Sequence, residues 1–88
     1  MANKSMHYVY LLKSDKNQDL YIGYTDDLKK RFKEHNGGRV KYTKSYKPWQ
    51  LIYYEAYKNQ KDATKREYQL KKHCFKDELR KKLQFSLK

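Results

Sequence analysis

The sequence predicts a small α+β protein, a three-stranded antiparallel sheet flanked by helices in the order β-β-α-β-α-α. Three observations lead there. Three short runs rich in aromatic and branched residues are separated by turn formers, the mark of strands. Charged segments between and after them repeat apolar residues at helical spacing. And 88 residues suit one core but not two, so residues 1–88 are taken as a single domain with an ordered core over about 7–85.

The elements follow in order. "MANKS" reads as a frayed terminus. "HYVYLLK", His7–Lys13, is the first strand, "SDKNQD" is a run of turn formers, and "LYIGY" is the second strand of a hairpin. Helix one follows in "TDDLKKRFKEHNGG", with Thr25 or Asp26 as its cap, Asp26 and Asp27 at the positive end of its dipole, and Gly37 and Gly38 to stop it. "RVKYTKSYKP" is an aromatic and basic loop, and "WQLIYYEAY" is the third strand. Helix two starts from an Asn59 cap, and the last helix aligns Phe75, Leu79 and Leu83 in one stripe.

Charge narrows the function. Twenty-two Lys and Arg against ten Asp and Glu give a formal net charge of +12, which attracts polyanions, nucleic acid before anionic membrane. No run approaches the roughly 18–20 apolar residues of a spanning helix, and the N-terminus lacks a signal-peptide core. The single cysteine, Cys74, has no partner for a disulfide and no zinc-ligand spacing around it, so it reads as a packing residue in a reducing, cytoplasmic setting. Aliphatic residues are few, and ten tyrosines must supply much of the buried area.

Two helix faces hold residues that a plain packing surface would not. Leu28, Arg31, Phe32 and His35 fall at i, i+3, i+4 and i+7 and share one face. A guanidinium and an imidazole in an apolar stripe need either partners or an exit to solvent. On helix two, Glu67 interrupts the stripe of Ala63, Leu70 and Cys74. Its carboxylate calls for a cation: Lys71 one turn on, or a divalent metal such as Mg²⁺, which takes one or two carboxylates and completes its shell with water and phosphate. Tyr10 and Tyr21 lie on neighbouring strands, where a nearby cation would favour proton transfer through a phenol. Lys29, Lys30, Lys33, Arg39, Lys41, Lys44 and Lys47 cluster around helix one and the following loop, a surface for phosphates. Tyr42 and Tyr46 in that loop could stack on unpaired bases.

These residues resemble one family. "YVY" at Tyr8–Tyr10, "YIG" at Tyr21–Gly23, Arg31 ten residues after Tyr21, His35 four further on, and "REYQLK" around Glu67 are similar to the GIY-YIG endonuclease domain, over residues 7 to about 85. The chain looks most like the small stand-alone bacterial members. The resemblance implies a metal-dependent cut of a phosphodiester bond in DNA, with RNA left open as a substrate. It implies one Mg²⁺ or Mn²⁺ held by Glu67. Tyr10 and Tyr21 would line the site, one of them taking the proton of the attacking water, and Arg31 would stabilise charge on the phosphate. His35 would handle a second proton or contact the phosphate. A nuclease of this size would draw specificity from a partner protein or from DNA shape, and a bacterial one would sit at the nucleoid. The sequence departs from the pattern at Tyr8 and Val9, has Tyr24 where some members carry lysine, and has no asparagine after Asn59. A non-catalytic nucleic-acid-binding module on the same scaffold is the alternative. A basic subunit docking on an acidic protein is a third.

Overall fold

A computed structural model describes residues 6–87, apart from the side chains of residues 73–76. Strand β1 (His7–Ser14) lies in the middle of the sheet, with β2 (Leu20–Thr25) on one side and β3 (Trp49–Tyr57) on the other, both antiparallel. Helices α1 (Leu28–Asn36), α2 (Gln60–Lys71) and α3 (His73–Lys82) complete the predicted β-β-α-β-α-α order. None of the described helices is long and apolar enough to cross a membrane.

The side-chain alternation of a strand divides the interior into two cores. Val9 and Leu11 of β1 point to one face, where they meet Leu20, Ile22, Ala63, Leu70 and Leu79 beneath α2 and α3. Tyr10 and Leu12 point to the other, where Trp49, Tyr21, Leu28, Phe32 and Leu51 surround them. The predicted apolar stripes hold where they are described: Ala63, Leu70 and Leu79 are buried and Leu83 packs on them. Cys74 and Phe75 fall among the side chains outside the description.

Two details of α1 differ from expectation. Its cap is Asp27, not Thr25 or Asp26: the Asp27 carboxylate accepts from the Lys30 amide at 3.2 Å. Thr25 is instead buried at the strand end, its hydroxyl accepting from the Asp27 amide at 3.0 Å. The helix stops at the glycines as predicted, but Gly37 keeps an ordinary helical φ and Gly38 takes the left-handed turn at φ 76°. On α2 the Asn59 cap is present and accepts from the Lys61 amide at 2.8 Å.

On β3, Glu55 lies half-buried under α2 and gathers three donors. Arg66 places Nε and Nη2 on its two oxygens at 2.9 and 3.1 Å, and the hydroxyls of Tyr53 and Tyr57 donate to the same carboxylate. Burial would raise the Glu55 pKa, but these hydrogen bonds outweigh it and hold the carboxyl below its usual range.

Candidate functional site

The site is built where α1 crosses the end of the sheet. Asn36, the last residue of α1, pairs with the backbone of Trp49 as a strand would, donating to its carbonyl at 3.0 Å and accepting from its amide at 2.6 Å. That clamp fixes the C-terminal turn of α1 against β3 and sets His35, one residue earlier, directly over the sheet.

There His35 is fully buried and meets Tyr10: Nε2 lies 2.8 Å from the Tyr10 hydroxyl. The other ring nitrogen, Nδ1, lies 2.7 Å from Oγ1 of Thr43, which is also fully buried. Tyr21 packs its ring edge-on to His35, centroids 5.0 Å apart, and to Trp49 at 6.3 Å. The Tyr21 hydroxyl has no hydrogen-bond partner among the described residues, so this half-buried phenol is available to a ligand.

Gly23 is what lets Tyr10 reach this position. It is the cross-strand neighbour of Tyr10, and a Cβ built there would stand 2.4 Å from the Tyr10 oxygen. The phenol therefore lies across the bare Cα of Gly23.

Arg31 borders the same phenol. Its guanidinium forms an ion pair with Glu34 at 3.1 Å and remains about 37 % exposed, while its positive charge acts on Tyr10. Two pKa shifts follow. Burial pushes Tyr10 up to about 12, with Arg31 opposing. Burial, helped by the Arg31 charge, pulls His35 down to about 4. At neutral pH His35 is an uncharged imidazole against an un-ionised phenol.

Glu67 stands apart from this cluster by contact but not by field. Its carboxylate pairs with Lys71 at 3.0 Å, the i+4 partner anticipated from sequence, and its negative charge bears on both Tyr10 and Tyr24. Among the described residues no three His, Cys, Asp or Glu side chains converge as a cage for a metal. A part-exposed carboxylate is still compatible with Mg²⁺ or Mn²⁺, which need one or two such oxygens and fill the rest of their shell with water and phosphate. The Lys71 half of that pair is 52 % exposed, so the pair is of modest worth and would yield to a divalent ion.

Two grooves flank α1. One is lined by His7, Tyr24, Thr25, Asp26, Asp27, Lys30, Arg31, Glu34 and Gln60, and across it His7 Nδ1 lies 2.8 Å from the Tyr24 hydroxyl. The other is lined by Lys29, Lys30, Lys33 and Arg39 with Asp27, Glu34 and Gly37. All seven basic residues singled out from sequence are exposed, and four of them, Lys29, Lys30, Lys33 and Arg39, line this groove. Tyr42, 84 % exposed, and Tyr46 stand out from the loop.

Sequence reasoning missed Thr43 and Asn36. The only signal was their place at the two ends of the segment that wraps His35, and a threonine in a loop carries no pattern of its own.

The GIY-YIG catalytic domain pattern matches residues 6–81 of this chain. A UPF0213 protein of Clostridium perfringens is 47% identical over 68 residues, covering 76% of this chain and 72% of the relative. One from Staphylococcus saprophyticus is 46% identical over 66 residues, covering 74% and 79%. The solution NMR structure of a UPF0213 protein from Bacillus halodurans is 36% identical, covering 75% of this chain and 70% of that one, with a TM-score of 0.48. Tyr10, Tyr21, Gly23, Arg31 and His35 meet on one side of the sheet from positions far apart in sequence, and with a domain match across most of its length the chain belongs to the GIY-YIG family.

Proposed function

We propose that this protein is a divalent-metal-dependent endonuclease that hydrolyses phosphodiester bonds in DNA. GIY-YIG domains form a nuclease superfamily whose members generally use a divalent metal and act on DNA. The observation that carries the reading here is the buried 2.8 Å contact between Tyr10 and His35 with Arg31 against the same phenol. A buried phenol and an uncharged imidazole in line form a route for a proton, and the cation beside them is where a phosphate would bind.

The roles follow from the chemistry. Arg31 moves from Glu34 onto the scissile phosphate, giving up a solvent-exposed pair of small worth, and stabilises the negative charge of the transition state. Its departure uncovers the Tyr10 oxygen. An attacking water then forms the new P–O bond while its proton passes to the Tyr10 oxygen, and the Tyr10 proton passes to Nε2 of His35. The P–O bond to the leaving oxygen breaks, and that oxygen takes a proton from solvent. His35 returns its proton through Tyr10, so the cycle closes without a free phenolate. Pairing of Arg31 with phosphate removes one of the charges that hold the His35 pKa down, so the acceptor strengthens when substrate is bound. Glu67 would hold the ion, which when bound neutralises phosphate charge and helps the leaving oxygen depart. Tyr21 offers its free hydroxyl to the phosphate, and the groove of Lys29, Lys30, Lys33 and Arg39 tracks the backbone. A partner protein or DNA shape supplies specificity.

The test is a cleavage assay on duplex, branched and single-stranded DNA and on RNA, with Mg²⁺, Mn²⁺ or EDTA, beside Glu67→Ala and Arg31→Ala. Metal-dependent nicking lost in both variants, with binding retained, is the expected result. Tight binding without nicking would select a non-catalytic module, and no binding at all would point to an acidic protein partner.

A further inference from the structure

The proton route through His35 needs a lone pair on Nε2, and a free imidazole populates both tautomers. Tyr10 does not decide between them, since a phenol both donates and accepts. The decision lies on the far side of the ring. Nδ1 faces Thr43 Oγ1 at 2.7 Å, and the same hydroxyl has a second neighbour, the Val40 carbonyl at 3.4 Å, which can only accept. With the Thr43 proton aimed at Val40, Oγ1 offers a lone pair to Nδ1. Nδ1 then carries the ring hydrogen and Nε2 is bare.

The other end of the chain demands the same direction. The Arg31 guanidinium, whose charge acts on Tyr10, carries only donors and cannot take the Tyr10 proton. The acceptor left for the Tyr10 proton among the described residues is Nε2 of His35. Were the ring flipped to its other tautomer, Nε2–H would donate to the Tyr10 oxygen and the phenol's own proton would be buried without an acceptor among the described residues, a costly arrangement.

Thr43 is also held too firmly to adjust. Its carbonyl accepts from Trp49 Nε1 at 2.8 Å and from the Tyr46 amide at 3.1 Å, and its amide donates to Val40 at 3.1 Å. Trp49 is in turn clamped by Asn36, next to His35. Ring and hydroxyl are thus fixed by one closed circuit of contacts.

We propose that Thr43 is a positioning residue: its hydroxyl holds His35 in the Nδ1–H tautomer, so that the Tyr10 proton points at Nε2. The catalytic consequence rests on the nuclease reading above; the tautomer does not. Thr43 touches no substrate and acts through His35.

The experiment joins ¹⁵N NMR of the histidine side chains in the free protein with nicking rates on Mg²⁺-loaded protein, for wild type, Thr43→Ser and Thr43→Val. Wild type should show His35 protonated on Nδ1 at neutral pH. Thr43→Ser, which keeps the hydroxyl, should preserve both tautomer and rate within a few-fold. Thr43→Val, close in volume but without the hydroxyl, should shift His35 toward Nε2–H and slow nicking roughly a hundredfold, with DNA binding unchanged. A wild-type His35 protonated on Nε2 overturns the proposal. So does a Thr43→Val protein in which tautomer and rate fail to move together. If the valine variant does not fold, Thr43→Ala is measured in its place, and the wild-type spectrum judges the tautomer without any variant. A wild type that cuts nothing overturns the nuclease reading alone, because the tautomer is read without nucleic acid.

Discussion

Replacing His35 with glutamine measures how strongly one buried ring governs acid stability. In the fold its pKa is pulled to about 4, against about 6.5 for an exposed imidazole. The unfolded chain therefore takes up this proton first as pH falls. The contribution to stability is fully present above about pH 6.5 and is lost progressively as pH falls toward 4. Linkage converts the shift into a loss of about 2 kcal/mol at pH 5 and about 3 kcal/mol at pH 4, relative to neutral pH. Against the roughly 5–15 kcal/mol that stabilises a domain, that is a large fraction. Urea unfolding at pH 7, 6 and 5 gives the numbers, with fluorescence of the buried Trp49 as reporter. Glutamine can still hydrogen-bond Tyr10 or Thr43 but binds no proton in this range. The Arg31–Glu34 pair beside the ring, Tyr10, Tyr21 and the other histidines are common to both proteins, so the difference in slope isolates His35. Wild type should lose about 2 kcal/mol more than His35→Gln between pH 7 and pH 5. Equal slopes would refute the reasoning, whatever the absolute stabilities.

The remaining expectations concern packing, roles and the surface. Gly23→Ala should destabilise by about 2–4 kcal/mol, because the methyl displaces the Tyr10 phenol and breaks its bond to His35; a change below about 0.5 kcal/mol in urea unfolding would show that the ring has somewhere else to go. Glu55→Gln should cost about 2 kcal/mol by dissolving the Arg66 fork, read as a fall in Tm, and an unchanged Tm would make that cluster ornamental to the fold. Tyr10→Phe should slow nicking by about a hundredfold or more and Tyr21→Phe by far less. The reverse order in single-turnover rates would move the proton acceptor to Tyr21. DNA affinity should fall with salt at a slope approaching 3.6 log units per decade if each of Lys29, Lys30, Lys33 and Arg39 neutralises one phosphate. Near-indifference to salt would remove the groove from the binding surface.

Much of this protein was legible in the order of its residues. Period-two runs of Tyr, Val, Ile and Leu against charged segments of period near 3.6 specify three strands and three helices, because burial of one face demands those spacings. The same spacing put Arg31 and His35 on the sheet-facing side of α1, and the glycines after Asn36 ended the helix. Local geometry is set by neighbours in the chain, so sequence alone suffices for it. What only the tertiary structure decided is which groups meet. The Asp27 cap depended on which of three adjacent polar residues turned toward the helix. The fit of Tyr10 over Gly23 needed the register of β1 against β2. The Thr43–His35–Tyr10 line needed α1, the loop after it and the sheet to converge from positions 25 residues apart or more in part. Hydrogen bonds act over about 3 Å of space and are indifferent to separation along the chain, so no periodicity could have announced a buried threonine that orients a histidine.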